Sequence, residues 1–316
     1  MFINGGKLLQ HAQFDGKPIT ADIFITNYCN NRCPYCTYGR WELDSHAKAM
    51  RFEEFKKYTE RLIELGVKGI ILTGGGEPTC NPDFEKITSW LEENKIDYGI
   101  NTNFNILKYF KPNYLKVSLD AYDEDSYKAY RGVDAYSKVR ANILAYAEWK
   151  KTNSPNTTLG IQMVASNVET VNKFYFANKD LPVDYIAIRP MESTNGKYYK
   201  GDLSVDSKPG ALVSAINTLA GIDPRIQPSF KWDMLNCEFD KCYAQWSQIA
   251  VNENGEVMYC CHKPYQIIGN IMDKDILQKK AEAVTDMKMC DIPCRLTAPN
   301  KLIKQIQQVT THSNFI

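Results

Sequence analysis

Cys29, Cys33 and Cys36 fall in the run Asn-Tyr-Cys-Asn-Asn-Arg-Cys-Pro-Tyr-Cys at positions 27–36, with three and then two residues between them. Three thiolates on one compact loop, with no fourth at the same spacing, can hold three irons of a [4Fe-4S] cluster and leave the last iron open to a substrate or cofactor. Spacing alone also permits a structural zinc loop. A second chemical signature is Gly74-Gly75-Gly76-Glu77-Pro78, preceded by Thr73. Its glycines let backbone approach a ligand closely, and Glu77 offers a carboxylate to an ammonium group. Taken alone, such a turn is usually no more than a turn.

The other cysteines extend the theme. Of ten, Cys80 stands by itself and six lie between Cys237 and Cys294. Residues 1–10 lack the sections of a signal peptide, and no run of eighteen apolar residues exists to span a membrane, so the chain reads as cytoplasmic. In that compartment thiols stay reduced, which favours metal or redox use over a disulfide framework. The four histidines form no His-Glu-x-x-His pair, and no Walker-type phosphate loop is found. Thirty-eight Lys and Arg nearly cancel thirty-seven Asp and Glu, so nothing argues for a nucleic-acid or anionic-membrane surface. Cys242, Cys260, Cys290 and Cys294 supply four soft ligands, and their spacing suits zinc and an iron–sulfur cluster equally.

The elements that must position these groups are legible as a repeat. Apolar runs rich in β-branched and aromatic residues occur at 19–26, 69–73, 98–102, 115–119, 159–164 and 185–188. Helical spacing occupies 51–65, 82–94, 123–131, 136–151 and 170–179. Apolar strands alternating with helices predict an α/β fold with a parallel sheet, open or a partial barrel, whose working loops lie at the C-terminal strand ends. After about residue 223 the pattern changes, with Pro224 and Pro228 read as a linker. A hairpin follows at 249–259 around Asn254-Gly255, then helices at 276–287 and 301–309. The expected division is an N-terminal segment at 1–18, a barrel module at 19–222, a small metal-stapled module at 223–300 and a C-terminal helix at 301–316.

In this order and on consecutive strands, the cysteine triplet and the Gly-Gly-Glu-Pro turn resemble the radical S-adenosylmethionine (radical SAM) enzymes. Tyr35 supplies the usual aromatic before the last cysteine. The resemblance continues through Asn101-Thr102-Asn103, Val117-Ser118-Leu119-Asp120, Arg131-Gly132 and Ile186-Ala187-Ile188-Arg189-Pro190, covering nearly the whole first module. It implies a partial (β/α)6 TIM-type barrel in which SAM chelates the open iron through its amino and carboxylate groups. Reductive cleavage would then give a 5′-deoxyadenosyl radical that abstracts a substrate hydrogen atom. By the same resemblance Gly75, Gly76 and Glu77 hold the ammonium and Ser118 and Arg131 the carboxylate, while Gln162, Asn167 or Arg189 contact the ribose. For the last five, an ordinary barrel-mouth hydrogen bond is the competing reading.

The C-terminal cysteines resemble a twitch module, the shorter relative of SPASM, with one auxiliary [4Fe-4S] cluster. Cys242, Cys260, Cys290 and Cys294 are its expected ligands, and Cys237 or Cys261 are alternates. Cys80, three residues past Glu77, is a candidate hydrogen-atom donor, weighed against a half-buried thiol with no task. The expected substrate is a ribosomally made peptide, with a sugar or aminocyclitol as the alternative and flavodoxin or ferredoxin as the electron donor. The rival from another class is a zinc-stapled binding protein without SAM chemistry.

Overall fold

The structure, a computed structural model, describes residues 16–36, 38, 47–190, 209–228, 239–285, 294 and 296–308, without the side chains of 209, 228, 297 and 305–308. Cys237 and Cys290 therefore lie outside the described residues.

Seven strands run parallel and lie side by side in chain order: β1 (Thr20–Phe24), β2 (Gly69–Thr73), β3 (Asp97–Thr102), β4 (Tyr114–Ser118), β5 (Thr158–Ala165), β6 (Tyr185–Pro190) and β7 (Ile226–Pro228). Their crossovers carry α1 (Phe52–Glu64), α2 (Phe84–Glu93), α3 (Glu124–Arg131), α4 (Tyr136–Asn153), α5 (Val168–Asn178) and α6 (Pro209–Ile222). Burial is near-continuous in β1 and β5, with seven of eight residues buried in β5, and no residue of β2 or β4 is exposed. Such burial follows when helices cover a parallel sheet and apolar side chains leave water on both faces. Phe55 and Leu62 of α1, Phe84 and Ile87 of α2, and Val139 and Ile143 of α4 join the strand residues in one core.

Two expectations about these elements need correction, and one turn gains detail. Strand β3 is followed by no helix; 103–113 is an irregular crossover in which Phe104 takes a positive φ of 58°. Pro228 is not in a linker but in β7, paired with Ile188 of β6. Because β7 has no neighbour on its far side among the described residues, the missing proline N–H costs no ladder bond there. In the hairpin between β8 (Gln248–Val251) and β9 (Glu256–Met258), Gly255 alone takes a positive φ, of 76°. Gly255 N donates to Asn252 O and Asn252 N to Glu256 O, each at 3.0 Å, which makes a three-residue loop closed by a glycine bulge.

The hairpin does not stand apart from the sheet. Strand β8 pairs in parallel with β1, from Thr20 opposite Gln248 to Ile23 opposite Val251, and β10 (Ile267–Asn270) completes a ten-stranded order β10-β9-β8-β1-β2-β3-β4-β5-β6-β7. Strand β1 is thus interior, covered on the side that an open sheet would leave unpaired. The loop leaving it is anchored from both flanks. Two short helices close the described chain: α7 (Ile276–Glu282), which ends before the expected limit of 287, and α8 (Thr297–Gln308), which starts four residues before the expected 301.

Candidate active site

The cysteine loop leaves the C-terminal end of β1, between the ends of β2 and β4. Backbone contacts hold it on both sides: Glu77 N donates to Tyr28 O at 2.8 Å, and Arg32 N to Arg131 O at 2.9 Å. Each contact sits beside a glycine. A Cβ on Gly76 would lie 2.0 Å from Tyr28 O, and one on Gly132, the left-handed C-terminal residue of α3, 2.3 Å from Arg32 O. The approach that Gly76 permits is therefore to the cysteine loop itself. Buried Asn81 adds a staple, its Nδ2 donating to Ile25 O at 2.6 Å and Met50 O at 2.9 Å. Gly76→Ala should push the loop off β2, lowering stability by about 1–3 kcal/mol as overpacking does. The thermal midpoint and iron retained per chain measure both consequences.

Cys29, Cys33 and Cys36 are half-buried free thiols. Asn31 N and Asn103 Nδ2 donate to Cys29 Sγ at 3.4 and 3.9 Å, and Arg131 Nη1 donates to Cys33 Sγ at 3.6 Å. Burial pushes the Cys29 and Cys33 thiols up, and Glu77, then the neighbouring cysteines, push Cys29 further. Three sulfurs on one fixed loop, two of them already receiving N–H donors, suit thiolate ligands of a cluster. Among the described residues, no three His, Cys, Asp or Glu side chains converge as ligands of a single metal ion.

Behind Cys33 lies a buried ionic network. Arg131 pairs with Asp120 and donates to Ser118 O. Asp120 also accepts from Tyr35 Oη at 2.7 Å and Val164 N at 2.7 Å. Burial opposes the Arg131 charge, but Asp120, Tyr35 and Cys33 outweigh it and hold the guanidinium protonated well above its ordinary range. Burial, joined by Asp120, likewise drives the Tyr35 hydroxyl well above its usual range. Arg131 Nε is buried without a partner. Asp120, whose role no local pattern marks, holds this network from a positive φ of 56°, a conformation rare outside glycine.

Glu77 is buried and accepts from Thr79 N at 3.1 Å, Thr79 Oγ1 at 2.7 Å, Thr102 Oγ1, and Asn103 N at 2.7 Å. It joins the ends of β2 and β3. Burial still raises its pKa, because the four donors offset only part of the lost hydration. Gln162 is buried on β5 opposite Ser118. Asn167 is drawn away as the cap of α5, its Oδ1 accepting from Thr170 N at 2.8 Å. Arg189 is half-buried in β6. Cys80 lies half-buried in the turn Pro78–Cys80, its thiol pushed up to about 12 by burial and by Glu77.

Among the C-terminal cysteines, Cys242 and Cys294 pack in one cluster with Ala244, Leu296 and Ile303. Asn300 Nδ2 donates to Cys242 Sγ at 3.6 Å, and Leu296 N to Cys294 Sγ at 3.4 Å. Cys260 is buried, and Cys261 packs with Phe24, Met258 and Tyr38. Tyr38, two residues past the triplet, donates to Cys261 O at 2.8 Å and ties the two cysteine regions together. Lys280 sits fully buried; burial lowers its pKa to about 8 while the Cys260, Cys242 and Cys261 thiols pull the other way. No local pattern marks Lys280, since its neighbours come from distant segments.

A parallel α/β sheet that presents three cysteines and a buried glutamate at its C-terminal strand ends defines a class of SAM-dependent iron–sulfur enzymes. The radical SAM superfamily model matches residues 23–172. That match implies SAM and one [4Fe-4S] cluster, and the triplet and its donors fit the cluster. Similar proteins include the GTP 3′,8-cyclase of Photorhabdus laumondii, 30% identical over 182 residues, which are 54% of each chain. A probable GTP 3′,8-cyclase of Pyrococcus abyssi is 32% identical over 137 residues, 40% of this chain and 44% of that protein. The chain thus spans about half the length of the curated relatives it matches. Its fold is shared with Streptococcus suis SuiB bound to precursor peptide SuiA, at TM-score 0.64 and 17% identity over 86% of this chain and 66% of that one. It is shared also with anSMEcpe bound to AdoMet, at TM-score 0.60 and 19% identity over 88% and 84%. No described helix is long and apolar enough to cross a membrane.

Proposed function

We propose that this chain is a cytoplasmic radical SAM enzyme with an auxiliary [4Fe-4S] cluster of the twitch or SPASM type, acting on a ribosomally synthesised peptide. The observation that carries the reading is the cysteine loop fixed between Gly76 and Gly132, with Arg131 and Asn103 aimed at its sulfurs. Cys29, Cys33 and Cys36 would hold a cluster able to pass one electron from a donor such as reduced flavodoxin or ferredoxin to bound SAM, giving methionine and a 5′-deoxyadenosyl radical for hydrogen abstraction. The chain's part is to bind and orient. Glu77 Oε2, with Asn103 N as its donor, keeps acceptor capacity for the methionine ammonium. Arg131 Nε is the donor for the carboxylate beside Ser118. With the Asn167 oxygen engaged as a cap, Gln162 and Arg189 are the better ribose contacts.

Residues 223–300 form the auxiliary unit in this reading, with Cys242, Cys260, Cys290 and Cys294 as ligands. The Tyr38 bond to Cys261 supports it, because a substrate bound at that seam would face both cysteine groups. Two structural neighbours are described with a bound peptide, SuiB with SuiA and anSMEcpe with Cp18Cys, and this supports the peptide class. A small-molecule substrate is the second reading, favoured by the GTP 3′,8-cyclases among the sequence relatives.

Protein purified anaerobically should be brown, hold about eight irons and eight sulfides per chain, and release 5′-deoxyadenosine from SAM on reduction. Colourless protein with zinc and no SAM cleavage would overturn the proposal. Deuterium transfer into 5′-deoxyadenosine, from a labelled precursor peptide or from labelled GTP, separates the two substrate classes.

A further inference from the structure

Lys280 lies in the last turn of α7 and is 2% exposed. Lysine is almost never fully buried without an opposite charge, because the ammonium loses its hydration. Among the described residues Lys280 has no carboxylate partner. Its Nζ donates to two neutral acceptors, Gln245 Oε1 at 2.9 Å and Tyr259 O at 3.3 Å. Gln245 in turn donates through Nε2 to Lys280 O at 2.7 Å, which fixes where the ammonium points. An ammonium has three N–H donors, so one is left over. Tyr259 immediately precedes Cys260 and Gln245 lies three residues past Cys242, so these bonds hold the ammonium beside the segments that carry both cysteines.

From this geometry we infer that Lys280 is the counter-charge to a metal–thiolate centre built on Cys242 and Cys260, and that it sets the reduction potential of the auxiliary cluster. The inference rests on the auxiliary-cluster reading above. A four-thiolate [4Fe-4S] centre is anionic when oxidised and more so when reduced. A buried cation beside it therefore favours the reduced state, and an N–H donor to sulfur acts in the same direction. The same charge relieves the lysine's own burial, since the interaction is strong where water is absent. Lys280 thus acts through the cluster ligands as a positioning and tuning residue.

The test uses full-length protein carrying Cys33→Ala, in which the auxiliary cluster is the iron–sulfur centre left to titrate. Lys280→Met, close in size and uncharged, should lower the reduced-to-oxidised ratio at a fixed solution potential at least tenfold, about 59 mV for a one-electron couple. Lys280→Arg should keep most of the original ratio. A midpoint unchanged in Lys280→Met overturns the inference while leaving the auxiliary cluster intact. Absence of iron and sulfide from the Cys33→Ala protein overturns the auxiliary-cluster reading and the inference with it. Should Lys280→Met not fold, pulsed EPR on the reduced cluster of 15N-lysine-labelled protein decides. A 15N coupling that Lys280→Arg abolishes supports the contact, and a spectrum identical with and without Lys280 overturns it.

Discussion

Cys33→Ala should yield protein that retains about four irons per chain of the original eight and forms no detectable 5′-deoxyadenosine from SAM under reducing conditions. The effect is expected to be all or none. Three thiolates are the fewest that can hold a cubane while leaving one iron for SAM, and a second open iron makes the cluster labile to loss. Cys33 is the most telling of the three, because its sulfur faces both the backbone carbonyl and the guanidinium of Arg131. Cys29→Ala and Cys36→Ala should match it in iron content and activity. Cys294→Ala should lose a similar amount of iron from the other region yet still cleave SAM. Iron and sulfide analysis with 5′-deoxyadenosine quantified by chromatography distinguishes the two patterns. A Cys33→Ala protein that still cleaves SAM would remove the triplet from the chemistry.

The parts of this molecule that could be read from the sequence are those whose cause is local. Strands β1 to β6 were visible because burial on both faces demands uninterrupted apolar runs, and α2, α3 and α4 because each buries one stripe against them. The cysteine triplet was legible for the same reason: three ligands within eight residues carry their geometry with them. Long-range pairings left no such trace. Nothing in Gln248–Val251 announces that it will pair in parallel with Thr20–Phe24, so the hairpin read as part of a separate module. Gly76 was read as making room for a ligand, whereas the atom nearest to its missing Cβ belongs to Tyr28. Asn167 offered a polar side chain at a strand end, and the helix that starts there claimed its oxygen. Charged groups were the hardest to place. Arg131 and Asp120 read as separate motif residues, and nothing local marks Lys280, because a buried charge is explained by its partner and not by its neighbours in sequence.

That partnership makes Asp120 the position where one substitution should cost the most stability. Asp120→Ala removes the counter-charge of Arg131 while leaving the guanidinium buried, and cutting one side of a buried pair costs about 3–5 kcal/mol. It also strips acceptors from Tyr35 Oη and Val164 N, and asks alanine to hold a positive φ that Asp tolerates better. The thermal midpoint should fall on the order of 10 °C, and Cys33 should lose the oriented donor behind it. Asp120→Asn separates charge from shape: it keeps the backbone preference and the acceptor for Val164 N, so whatever stability it loses belongs to the ion pair. Adding Arg131→Met to Asp120→Asn should then recover much of that loss, since no unpaired charge remains buried. Recovery of stability without recovery of SAM binding is the expected combination, because Arg131 Nε is the buried donor without a partner at this site. If Asp120→Ala unfolds within a degree or two of the parent, the pair is not holding the cysteine loop against α3 and the loop's position must come from its other contacts, those at Gly76, Gly132 and Asn81 among them.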